Sequence, residues 1–178
     1  MVVPTDGSTD LDPRSDRTAV RRTGIGRDGH PFGPGEPLAL GGIVIEGAPR
    51  LHGHSDGDVA LHAVADALLG AAGLGDLGRL FPPGPETPRD IASRDMLGEV
   101  IRRLGAAGWR PVALDLTITG ARPRLAGRLD AMREAIAAAL GVEVASVSVK
   151  ASSGNLDGSD GAGRSMSALA LATIEATA

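Results

Sequence analysis

Residues 54–70, HSDGDVALHAVADALLG, fix one element of the fold more firmly than any other part of this sequence. Leu61, Val64, Ala65 and Leu68 recur with i, i+3, i+4, i+7 spacing, the pattern of a helix that buries one face. Ser55 followed by Asp58 three residues later matches a capping box, with Asp in the place of Glu. The spacing therefore predicts a helix over residues 56–72. Asp58, His62 and Asp66 are four apart and fall on one helical line beside the apolar stripe. His62 is expected to be half-buried and to face other structure, with Asp66 one turn away to steady its ring.

The rest of the chain must build a core around this helix from Ala, Val, Leu and Ile, because it holds only two Phe, one Trp and no Tyr. Its 178 residues are the size of one domain. Residues 1–17, rich in Asp, Ser, Thr, Pro and Arg, read as a disordered extension, and residues 18–178 as a single domain. A strand is expected from about Ala19 through VRRTGIGRDGH, then a Pro/Gly loop and a strand or short hairpin around Ile43 and Ile45. Residues 73–88 read as a long loop. Further helices are expected over residues 89–104 and 124–140. Strands are expected at PVALDLTITG, SVSVKAS and MSALALATIEA, with a glycine-rich loop before the last. The architecture is α+β, a mixed β-sheet packed on three helices.

Composition excludes several chemistries. No cysteine is present, so disulfides and thiolate metal sites are ruled out, which fits a reducing compartment. Residues 1–17 lack the apolar segment of a signal peptide, and no apolar run is long enough to span a bilayer. The net charge is −4 and the arginines are scattered, which gives no footprint for nucleic acid. A soluble cytoplasmic protein without nucleic-acid or membrane partners is expected.

The four histidines are His30, His52, His54 and His62. Asp28 and His30 stand two apart on the first strand and project from the same face. With His62 they form one carboxylate and two imidazoles, a set suited to Zn²⁺ or a similar divalent ion with a fourth position open for a reacting oxygen. A capped helix with one satisfied histidine at the core edge is the plainer reading of His62 alone. His54 and Ser55 stand at the helix entrance, where backbone N–H groups and the macrodipole favour an anion such as phosphate. Simple capping by Ser55 with an exposed His54 accounts for the same residues. His52 has no evident partner and is expected at the surface.

Taken together, G-x-G-x-D-x-H near the start and H-S-D-G-D-V-A-L-H-A-x-x-D-A-L-L-G-A-A-x-L-G-D-x-G-x-L-F-P resemble the 2-C-methyl-D-erythritol 2,4-cyclodiphosphate synthase family of non-mevalonate isoprenoid biosynthesis. The likeness runs over about residues 22–176. It implies a homotrimer with active sites at subunit interfaces. The implied reaction is a metal-dependent intramolecular phosphoryl transfer by a phosphorus–oxygen lyase. It converts 4-diphosphocytidyl-2-C-methyl-D-erythritol 2-phosphate to the 2,4-cyclodiphosphate and releases CMP. By the same resemblance Asp28, His30 and His62 hold Zn²⁺, and His54, Ser55 and Ser153 are catalytic. Asp76 and Gly78 hold the ribose. Gly120, Arg122, Arg124 and Ala126 lie in the loop that reads cytosine, with Arg124 where the family usually has Lys. Residues 150–153, including Lys150, Ser152 and Ser153, contact the phosphates.

The sequence departs from that family at three places. FPPGP replaces F-P-D-T-D, removing two acids from the polyol loop. Asn155 stands where a Glu helps hold Mg²⁺, and an amide is a poorer magnesium ligand than a carboxylate. This argues against a second cation unless Asp157 or Asp160 takes its place. Ser159 and Ala162 replace an aromatic and an arginine, with Arg164 off register, which would remove an isoprenoid site at the trimer axis. Two alternatives follow: a diverged paralogue that cyclises or cleaves another CDP-linked phosphorylated substrate, and a non-catalytic trimeric binder of nucleotides or isoprenoid phosphates.

Overall fold

Two glycines decide how the first strand meets the first helix. A computed structural model describes residues 19–177 other than Pro83, Pro85, Glu86, Arg89 and Asp90. The expected extension over residues 1–17 lies outside the described residues. In chain order the elements are β1 (Arg21–Pro31), β2 (Leu38–Leu40), β3 (Ile43–Ile45), α1 (Val59–Ala72), α2 (Leu77–Leu80), α3 (Ser93–Ala106), β4 (Trp109–Thr119), α4 (Leu129–Leu140), β5 (Val147–Ser152), α5 (Gly158–Gly161) and β6 (Ser165–Ala176). A Cβ on Gly24 would lie 2.1 Å from the carbonyl oxygen of Ala67, and one on Gly26 2.1 Å from that of Ala63. No side chain fits there, so α1 rests directly on the backbone of β1.

Gly26→Ala should push the two elements apart and destabilise the fold by about 2–3 kcal/mol. The change would be read as a lower urea midpoint at unchanged slope. An unchanged midpoint would show that the contact can relax freely.

Every residue of α1 except His62, Asp66 and Gly70 is buried. The expected single apolar stripe is thus a helix covered on almost all sides, as apolar sequence all round requires. The sheet order is β1-β6-β4-β5, antiparallel except for the parallel β4–β5 pair. The expected mixed sheet is present, with α4 as the crossover between its parallel strands. α1 lies across β1 and β6, α3 packs on α1, and α4 packs on β5. The β2–β3 hairpin contacts α1 and α4. The opposite sheet face leaves Ile25, Leu169 and Leu171 exposed, with Ile25 opposite Leu171 in register. Among the described residues, no helix is long and apolar enough to cross a membrane.

Several boundaries move. α1 starts at Val59 rather than 56, because Gly57 takes φ +80° and Asp58 is the N-cap. α3 begins at Ser93 rather than 89, after Ala92 in extended conformation. α4 begins at Leu129 rather than 124. Pro123 removes a backbone donor, and a turn closes through the Arg128 N–H on the Leu125 carbonyl. The two expected loops contain single-turn helices, α2 and α5. A 3₁₀ turn, Gly154–Leu156, precedes α5.

Candidate active site

The helix-facing side of β1 reads Gly24, Gly26, Asp28, His30, since alternate strand residues share a face. The glycines let α1 close down, and the next two positions then meet its first turn. Asp28 Oδ2 lies 2.8 Å from His62 Nδ1 and 2.9 Å from His30 Nε2. The imidazoles meet edge to face, with ring centroids 5.7 Å apart. Burial alone raises the Asp28 carboxyl, but hydrogen bonds from both rings outweigh it and hold it well below the usual carboxylate range. His30 is raised, chiefly by its hydrogen bond to Asp28 and against the effect of burial. The ligand atoms of Asp28, His30 and His62 all lie within 4.8 Å of one another. One carboxylate and two imidazoles converging at that distance fit a divalent ion such as Zn²⁺.

A cavity of about 730 Å³ opens beside this cluster. It is lined by His30, His54, Ser55, His62 and Gly78, with an apolar wall that includes Phe81, Ile91 and Met96. His54 is exposed at this cavity and Ser55 is buried. The expected capping box is absent. Ser55 instead accepts the Gly57 N–H at 3.1 Å and sets its hydroxyl 3.1 Å from His62 Nε2. Asp58 is the cap, accepting the N–H groups of Ala60 and Leu61 at 3.1 and 3.0 Å. Its carboxylate also accepts Gly41 N–H and Gly42 N–H, each at 2.8 Å. The helix N-terminus is therefore filled by the chain's own anion, which corrects the expected backbone seat for phosphate. Only the side chains of His54 and Ser55 remain for that role.

Asp66 does not steady His62. It accepts the Leu77 N–H at 2.7 Å and so ties α2 to α1. The ring is oriented instead by Asp28 on Nδ1 and by two hydroxyls on Nε2, Ser55 and Ser93, the latter at 2.9 Å. Ser93 was not legible in the sequence, because it stands 31 residues from His62 and opens another helix. His52 is exposed, yet its N–H donates to the Pro31 carbonyl at 2.9 Å and its backbone accepts a bond from the His30 ring.

Asp76 caps α2 through the Arg79 N–H at 2.9 Å, and Gly78 faces the cavity. Gly120, Arg122, Arg124, Ala126, Ser152 and Ser153 are not among the residues lining it. Residues 120–126 follow β4, and Ser152 and Ser153 stand at the end of β5. There Gly120 N–H donates to the Ser152 carbonyl at 2.9 Å and Arg122 lies 4.9 Å over the Phe32 ring. Lys150 is ion-paired with Asp115. Asp160, one proposed stand-in for the missing Glu, accepts the hydroxyls of Ser165 and of Ser167, the latter at 2.5 Å, and so serves the loop itself. Asn155 takes a left-handed φ of 50° and donates its N–H to Ser153 Oγ at 3.4 Å.

Comparison with known proteins agrees with this arrangement. Residues 21–175 match the YgbB family. A 2-C-methyl-D-erythritol 2,4-cyclodiphosphate synthase from Moorella thermoacetica is 50% identical over 153 residues, covering 86% of this chain and 94% of that protein. A solved 2C-methyl-D-erythritol-2,4-cyclodiphosphate synthase in a CDP-bound form is 33% identical with a TM-score of 0.74, over 85% of this chain and 98% of that one. The bifunctional IspDF from Campylobacter jejuni superposes with a TM-score of 0.85 at 32% identity, over 89% of this chain and 43% of that one. With a Gly-x-Gly-x-Asp-x-His strand seated against a His62 helix and likeness across nearly all of its described length, the chain belongs to the YgbB family.

Proposed function

We propose that the protein converts 4-diphosphocytidyl-2-C-methyl-D-erythritol 2-phosphate to 2-C-methyl-D-erythritol 2,4-cyclodiphosphate with release of CMP. The observation that carries this reading is the convergence of Asp28, His30 and His62 on the cavity lined by His54 and Ser55, in a chain half-identical to a synthase of that name. An oxygen of the 2-phosphate attacks the β-phosphorus, and the bond from that phosphorus to the bridging oxygen of the CMP phosphate breaks. The residues orient the two phosphates more than they react with them, which is what phosphoryl transfer demands. His54 and Ser55 supply donors to the phosphate oxygens, and the apolar wall of Phe81, Ile91 and Met96 limits water. Asp28, His30 and His62 would hold the divalent ion, which supplies Lewis-acid neutralisation of phosphoryl charge when bound.

The reading includes a homotrimer. The exposed apolar strip of Ile25, Leu169 and Leu171 supports self-association through the open sheet face. The separation of the 120–126 and 152–153 segments from the His62 cavity supports their service to a neighbouring chain's site. It makes the protein a phosphorus–oxygen lyase of the cytoplasm.

The test is CMP release from the named substrate by zinc-loaded protein, with and without Mg²⁺. Formation of CMP and cyclodiphosphate in equal amounts is expected. CMP binding without turnover would overturn the enzymatic reading in favour of a binding protein.

A further inference from the structure

His62 faces hydroxyls on one side and a carboxylate on the other, and the direction of each hydrogen bond can be worked out. Asp56 Oδ1 lies 2.5 Å from Ser93 Oγ, and Asp56 Oδ2 accepts the Ser93 N–H at 3.1 Å. An ionised carboxylate only accepts, so the Ser93 hydroxyl proton points at Asp56. Ser93 Oγ then offers only lone pairs to His62 Nε2 at 2.9 Å, and that nitrogen must carry a proton to make the bond. By the same rule Nδ1, 2.8 Å from the Asp28 carboxylate, donates there whenever no metal is bound, so both ring nitrogens face acceptors. Ser93 is 1% exposed, so water does not compete for this geometry.

We propose that Asp56 and Ser93 are positioning residues that retain a proton on His62 Nε2, so that Nδ1, the nitrogen facing Asp28, is the one that gives up its proton to a metal ion. This rests on the metal site proposed above. A histidine ligand with its far nitrogen free can carry its neutral proton on either side, and a proton on Nδ1, which Asp28 favours, has to leave before a metal binds there. Asp56 is placed for the task by the Asp56 N–H bond to the Ile91 carbonyl at 3.3 Å. It thus joins the entrance of α1 to the start of α3. The arrangement also occupies Ser55: its oxygen accepts from Gly57 N–H and faces the Nε2 proton, which leaves its own O–H to donate into the cavity.

Two measurements at one fixed pH test the pair. Zinc affinity is read by competition with a chromophoric chelator, and the His62 tautomer by long-range ¹H–¹⁵N NMR of zinc-free protein with the ring neutral. Ser93→Ala should weaken zinc binding by about 10- to 100-fold and move proton density from Nε2 to Nδ1. Asp56→Asn, which sets an NH₂ group against Ser93, should shift both readouts the same way by less. Ser93→Thr keeps the hydroxyl and should hold zinc within about threefold of the parent.

An Nε2–H ring in Ser93→Ala, or wild-type zinc affinity in that variant, overturns the proposal. An equal loss in Ser93→Thr assigns the effect to packing and also overturns it. If Ser93→Ala does not fold, Asp56→Asn and Ser93→Thr decide by the same readouts. Failure of the metal reading is distinguishable: the parent would then take up no zinc, while the tautomer measurement would still test the hydrogen-bond chain.

Discussion

Asp58→Ala should lower stability by about 4 kcal/mol, a large effect for a single polar substitution. Asp58 is 1% exposed, and its carboxylate accepts four backbone N–H groups, from Gly41, Gly42, Ala60 and Leu61. Alanine would uncap α1, which costs about 1–2 kcal/mol. It would also strand the N–H groups of the β2–β3 turn in a site closed to water, at about 1–3 kcal/mol each. Against a total of about 5–15 kcal/mol for a domain, the melting temperature should fall by about 10 °C. Asp58→Asn keeps one acceptor oxygen but sets an NH₂ against a backbone donor, and should lose about half as much. Calorimetric melts of the three proteins check this. A loss under about 1 kcal/mol for alanine would mean that the turn and helix find other partners.

The second large effect is on chemistry. Asp28→Ala should cut CMP release by about 10³-fold or more, because Asp28 touches both imidazoles and supplies the only carboxylate of the cluster. The same variant should lose most of the about one zinc per chain expected of the parent. Its thermal stability should change little, since the Asp28 side chain is 24% exposed and caps no element. Zinc content by mass spectrometry, read beside turnover, separates the two roles. Activity within tenfold of the parent in zinc-free Asp28→Ala would sink the assignment of the cluster as the catalytic centre.

How much of this could be read from the residues varies from place to place. The shared face of Asp28 and His30 was legible, because a period of two needs no knowledge of neighbours, whereas the role of Gly24 and Gly26 on that face needed the position of α1. So was the existence of α1, because its apolar spacing is long and regular. Its start was not. Ser55 and Asp58 are both good caps, and only the positive φ of Gly57, which turns the chain just before Asp58, decides between them. The Asp58–His62–Asp66 line was real as spacing, yet its two acids serve backbone groups of the β2–β3 turn and of α2, elements that a helical wheel does not contain. Ser93 could not be found from one sequence, since its link to His62 crosses 31 residues and depends on where α3 begins. The 120–126 and 152–153 assignments came from resemblance alone, and among the described residues no hydrogen bond ties them to the His62 ring.

The self-capped start of α1 couples ion and anion binding at the proposed pocket. Because Asp58 already neutralises the positive helix end, a diphosphate arriving there gains nothing from the helix dipole and encounters the acids Asp28 and Asp56 close by. On the function proposed above, its attraction would come from the donors of His54 and Ser55 and from a cation held by Asp28, His30 and His62. Ion loading would then strengthen nucleotide capture, and the tightness with which a cytidine diphosphate is held would gauge how fully the protein is metallated.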